Sequence, residues 1–149
     1  MDDSYTLITS AEIDSPRKAV WEAWNSPDKV AKWWGPNGFI STVEELELRE
    51  GGKFHVVMHG PDGVDYPNVY IFDKVEKPSQ LIYINEGSKQ FGLAPFQSVV
   101  DLKEDNGKTK VTLKMRFTTQ EEKDKHVNQF HADVGSQQLL ERLALQAKA

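Results

Sequence analysis

The chain has 149 residues, 38% of them hydrophobic and 28% charged, a balance that suits one soluble domain with a sizeable core. Its net charge is −5 with no block of Lys or Arg, which argues against a nucleic-acid partner, and it has no cysteine, which excludes disulfides, thiolate metal sites and a cysteine nucleophile. No apolar run approaches the ~18–20 residues of a membrane span, and the acidic start, MDDSYTLITS, is unlike a signal peptide. The expectation is a cytoplasmic protein whose residues 1–149 form a single domain.

Tyr5–Ile13, with apolar and β-branched residues at short intervals, predicts a strand. Two short helices follow. Ser15-Pro16 and Ser26-Pro27-Asp28 each place a hydroxyl cap before a proline at the first helical position. Val20, Trp21 and Trp24 fall at helical spacing in the first helix, and Val30, Trp33 and Trp34 in the second. The second ends at Gly35-Pro36. Two of the four tryptophans therefore stand side by side just before a chain reversal.

The middle of the chain alternates. Lys53–His59 sends Phe54, Val56 and Met58 one way, and Pro61-Asp62-Gly63 turns the chain. Val69–Val75 and Leu81–Asn85 are predicted strands. Phe96–Lys103 places Phe96, Ser98, Val100 and Leu102 on one face. After an Asn106-Gly107 hairpin turn, Thr109–Phe117 does the same with Val111, Leu113, Met115 and Phe117. Beyond it, Thr118 or Thr119 caps a helix with Glu121 and Glu122 in its first turn. The apolar stripe then changes phase, from Val127, Phe130 and Val134 to Ala132, Leu139, Leu140, Leu143 and Ala147. This predicts a kink near Gly135 or a separate lead-in segment.

The order is strand, two short helices, about six antiparallel strands and a long C-terminal helix: an α+β fold with a curved antiparallel sheet gripping one helix. With Val20-Trp21-Glu22-Ala23-Trp24, Lys32-Trp33-Trp34-Gly35-Pro36, Leu48-Arg49-Glu50-Gly51-Gly52-Lys53-Phe54 and Leu140-Glu141-Arg142-Leu143 in series, it resembles the helix-grip fold of the START and birch-pollen-allergen (SRPBCC) superfamily. Within it, the chain is most similar to the AHSA-type family named for the activator of the heat-shock-protein ATPase. The resemblance implies a cavity between sheet and helix, a role in ligand binding, regulation or stress, and, for one branch, stimulation of a chaperone ATPase. The chain departs from the family where Gly135-Ser136 replaces the usual Gly-Trp, removing a ring from the helix face that meets the sheet, and where Pro67-Asn68 stands before the fourth strand.

Such a cavity would be lined on the sheet side by Phe96, Ser98, Val100, Val111, Leu113, Met115 and Phe117, and on the helix side by Ser136, Leu139, Leu140 and Leu143. Trp33 or Trp34, with Phe39, would stand at its entrance, and hydroxyls of Ser98, Tyr70 and Tyr83 could orient a ligand. The expected partner is a small apolar or amphipathic molecule. A chaperone comes second, ranked lower because no separate N-terminal domain like that of the eukaryotic activator precedes the first strand. A cyclase or hydrolase acting on a bound hydrophobe comes third, and an exposed edge strand offers a route to a homodimer. No catalytic residue, metal or cofactor is expected: His55 and His59 lie about 13 Å apart along a strand, His126 and His131 do not share a helix face, and no Ser-His-Asp order or phosphate loop is present. Asp62 and Asp65 belong to a turn, and Glu44, Glu45, Glu47 and Glu50 to a solvated edge.

Overall fold

Alternating sequence makes one sheet of seven strands. The structure, a computed structural model, describes residues 5–148; residues 1–4, part of the acidic start, lie outside the described residues, as does residue 149. The elements are β1 (Thr6–Ile13), α1 (Arg17–Glu22), α2 (Pro27–Trp33), β2 (Ile40–Leu46), β3 (Lys53–His59), β4 (Asp65–Glu76), β5 (Gln80–Asn85), β6 (Phe96–Asp105), β7 (Lys108–Arg116), α3 (Gln120–Asp124) with a π-helical turn over Lys125–Gln129, and α4 (Ala132–Lys148). The sheet order is β1-β7-β6-β5-β4-β3-β2, antiparallel throughout. Strands β2 to β7 are thus a simple meander. The consecutive strands β1 and β2 end on opposite edges, and α1 and α2 span the gap between them. Breaks in register between Val43 and Glu45 and between Phe72 and Lys74 add bends of the kind that curve a sheet.

The two predicted caps behave differently. Ser26 caps α2 as expected, its hydroxyl accepting the Lys29 N–H at 3.3 Å. Ser15 does not cap α1. Pro16 occupies that position, and the Arg17 N–H instead reaches the Glu104 carboxylate at 2.7 Å, so the β6–β7 hairpin supplies the acceptor. Thr119, not Thr118, caps α3, taking the Glu122 N–H at 3.1 Å. Strand β4 begins four residues earlier than Val69, and its Pro67 lies in a stretch paired only with β3, opposite Val57. There the lost N–H is tolerated.

Of the two readings of the C-terminal phase change, the separate lead-in is the one formed. The helical path breaks after Phe130, where His131 takes φ 55°, and Gly135 falls inside the first turn of α4. Helix α4 lies against β1, α1 and α2 and buries Leu140 and Leu143. Three sets of polar contacts fix its position. The Thr9 and Ser136 hydroxyls are 2.8 Å apart, and Gln138 Oε1 accepts the Asn37 N–H at 3.0 Å. The Arg142 guanidinium donates to the carbonyls of Lys32 (2.9 Å), Gly35 (2.8 Å) and Pro36 (3.0 Å). These carbonyls lie at and beyond the C-terminus of α2, where the helix ladder leaves acceptors open and a cation is favoured. Gly35 itself has φ 104°, a conformation that side chains rarely adopt, so it is the residue that lets "WWGP" reverse direction.

Candidate functional site

The space between the sheet and α4 is solid at one end and open at the other. At the solid end Trp24 is 1% exposed, with its ring 4.8 Å from Trp33, 5.5 Å from Trp34, 6.2 Å from Phe54 and 5.9 Å from Tyr83, the first three edge-to-face. Its indole N–H has no hydrogen-bond partner among the described residues and sits among these rings. Trp33 is fully buried and donates its indole N–H to the Ala23 carbonyl at 3.0 Å. Val100, Val111, Leu140 and Leu143 complete this packing.

At the other end is a cavity of about 450 Å³. Its floor is the continuation of the same strands: Met58, Tyr70, Tyr83, Ser98, Leu113 and Met115. Its roof is the first half of α4, where Ala132, Gly135 and Ser136 project little volume beside Leu139. One side is closed by the turn after α2, from Trp34 to Phe39, and the other by the π-helical turn with His126 and Phe130. Half-buried rings form a collar on the open side. Phe39 lies 5.9 Å from Tyr66, Tyr66 stacks on Phe91 at 5.1 Å, and Phe91 meets Phe130 edge-on at 5.9 Å. No Asp, Glu, Lys or Arg lines the space among the described residues.

The adjacent tryptophans therefore part company: Trp34 borders the cavity and Trp33 belongs to the core. Of the other expected lining residues, Phe39, Tyr70, Phe96, Ser98, Leu113, Met115, Ser136 and Leu139 border the cavity. Val100, Val111, Phe117, Leu140 and Leu143 do not. Phe117 instead backs His126, with ring centres 4.4 Å apart. Ser136 spends its hydroxyl on Thr9 rather than leaving it free. Residues that sequence reasoning missed include His126, Tyr66, Asn68, Asn85, Phe91 and Phe130 as lining groups. The Phe91 and Phe130 rings were visible as aromatics, but their convergence requires the loop after β5 and the π-helical turn to fold toward each other.

The polar groups are largely paired with one another. Asn85 donates to Asn68 Oδ1 at 3.1 Å and accepts the Gly87 N–H at 2.7 Å. Burial pushes the Tyr70 hydroxyl up to about 12, partly offset by Asn85, and holds Tyr83 well above the ordinary phenol value, with Ser98 acting the other way. Both phenols stay protonated near neutral pH. The one hydrogen bond of the His126 ring among the described residues is to the Glu122 carbonyl. Elsewhere His59 is held by Thr42 at 2.8 Å and Asp65 at 2.7 Å, and no group of three or more His, Cys, Asp or Glu among the described residues converges on a common point. No described helix is long and apolar enough to cross a membrane.

A curved antiparallel sheet closed by a C-terminal helix defines the helix-grip class. Solved structures with this architecture include a protein from Arthrobacter aurescens, 25% identical with a TM-score of 0.89, the match covering 99% of this chain and 89% of that one. A second, from Nitrosomonas europaea, is 25% identical with a TM-score of 0.82, covering 99% and 97%. A third, described as an AHSA1-like protein from Aeromonas hydrophila, is 25% identical with a TM-score of 0.72, covering 95% and 92%. No curated protein matches the chain. The family model described as Activator of Hsp90 ATPase homolog 1-like protein matches residues 14–146, and the chain belongs to that family.

Proposed function

We propose that the chain binds a small apolar or amphipathic molecule in the cavity between the sheet and the first half of α4. The observation that carries this reading is an uncharged space of about 450 Å³ walled by aromatic and aliphatic side chains, within the range of small-molecule sites. Apolar burial at roughly 25 cal/mol per Å² would drive association, less the cost of ordering the ligand. The small residues at Ala132, Gly135 and Ser136 support the reading, because they leave the volume that a larger helix face would fill. The test is a titration of apolar and amphipathic compounds followed by tryptophan fluorescence and native mass spectrometry, with Ala132→Trp as a variant whose ring would occupy the cavity. Saturable binding that Ala132→Trp abolishes is the expected result; no binding from a broad set of such compounds would refute the proposal.

The family description favours a second reading, in which the outer surface engages a chaperone ATPase. Stimulation of an Hsp90-type ATPase by the protein, unaffected by Ala132→Trp, would select it.

A further inference from the structure

One lining group differs from the rest. His126 is 6% exposed and borders the cavity, with its ring held between Phe117 at 4.4 Å and Phe96 at 4.9 Å and with Phe130 at 6.4 Å. Its Nδ1 lies 2.9 Å from the carbonyl oxygen of Glu122, one turn back. A carbonyl only accepts, so Nδ1 carries the hydrogen, and in the neutral ring Nε2 is left as a bare acceptor. No described residue donates to Nε2, and the ring that carries it borders the cavity.

Burial holds the ring below the ordinary histidine pKa. The charged groups that act on it are Glu122 and Lys125, both on its own segment; the neighbours from β6, from the end of β7 and from Phe130 are uncharged rings. At neutral pH His126 thus presents a preorganised lone pair from a buried ring, in a lining without Lys or Arg. Of the other buried polar groups, Asn85 is held by Asn68 and Gly87, and Ser136 by Thr9, whereas Gln129 and His131 border the cavity from exposed positions.

We infer that His126 sets the chemical class of the ligand: an uncharged molecule whose hydroxyl or N–H donates to Nε2, with carboxylates disfavoured. This rests on the ligand-binding reading and narrows it. A donor satisfies an acceptor that would otherwise face apolar space. A carboxylate would set negative charge against the same lone pair, away from bulk water and with no Arg or Lys in the lining to neutralise it.

The test uses three probes of one shape: 4-phenylphenol, 4-methoxybiphenyl and biphenyl-4-carboxylate, titrated calorimetrically at neutral pH into the wild-type protein and His126→Phe. The phenol is expected to bind about fivefold tighter than the ether, the worth of one net hydrogen bond, with the carboxylate weakest. His126→Phe, which keeps an aromatic ring, should erase the phenol's advantage over the ether. In the wild-type protein the Nε2 nitrogen resonance of His126 should move on adding 4-phenylphenol and not on adding the ether, a readout that does not depend on the variant folding. Equal binding of phenol and ether, tightest binding of the carboxylate, an advantage that survives in folded His126→Phe, or an unmoved Nε2 resonance would each overturn the inference while leaving ligand binding intact. Failure of all three probes to bind would overturn the inference, and the ligand-binding reading falls with it where the broader titration also shows no binding.

Discussion

The same strands and the same helix build two unlike halves. Along β6 and β7, Val100 and Val111 face solid packing, whereas Ser98 and Leu113, one step away on the same face, border open space. Along α4, Leu140 and Leu143 fill the space against the sheet at the solid end, whereas Ala132, Gly135 and Ser136 leave it open at the other. The difference lies less in hydrophobicity than in side-chain volume opposite the sheet, and in what fastens the helix. The solid half is filled by rings in mutual contact; the hollow half is walled by a turn, a loop and a π-helical segment, with Arg142 holding the turn to α4.

The contrast can be broken most sharply at its solid end. Trp24→Ala should cost about 3–5 kcal/mol in a urea or guanidinium melt, because the ring touches four others and the space cannot collapse around a curved sheet. Arg142→Met should cost about 2–4 kcal/mol, since the carbonyls of Lys32, Gly35 and Pro36 lose a charged donor while the aliphatic stem remains. A matched pair of enlargements then compares the halves directly. Val111→Phe should destabilise by about 1–3 kcal/mol, and Leu113→Phe by less than about 1 kcal/mol, because only the second has room to receive the ring. Equal losses in the two would mean that the hollow half is as tightly packed as the solid one.

The smallest effects are expected from protons. His126 has a lowered folded pKa, so in the window below the ordinary 6.5 the unfolded chain binds more protons. Its contribution to stability is present above 6.5 and is lost as the pH falls through the lowered folded value. The difference in stability between wild type and His126→Phe should therefore slope across that window and flatten below it. Tyr70 behaves in the opposite sense. With its pKa raised from 10.0 to about 12, its contribution is full below 10 and is lost as the pH rises toward 12, which a comparison with Tyr70→Phe in alkaline melts would detect.

Most strands and the helix starts were legible because period-two alternation and proline-marked helix starts are local signals, whereas β2 (Ile40–Leu46) and the order of strands across the sheet were not. Lys53–His59 and Thr109–Phe117 announce their buried faces in sequence, and both faces are oriented as expected. The boundary between solid and hollow was not legible. Alternation says that Ser98 and Val100 share a face, but where α4 crosses that face is decided by Ser136 meeting Thr9 and by Arg142 meeting the end of α2, across more than a hundred residues. The α1 cap failed for the same reason: Glu104 is 87 residues from Arg17. His126 was read as an unshared helical histidine; its role depends on a π-helical turn and on three rings from separate places in the chain.

Arg142 also bears on when the molecule becomes whole. It joins α4 to residues 106 to 110 positions earlier, so during synthesis the Trp-Trp turn waits for nearly the entire described chain before its carbonyls find their donor. Until then the sheet's inner face, with four tryptophans near it, has no helix across it. That late closure can be timed: nascent chains halted on the ribosome just after Phe130 should be cleaved by protease like an unfolded chain, whereas those extended until α4 has left the exit tunnel should resist. Resistance in the shorter chains would show that the sheet stands without its helix.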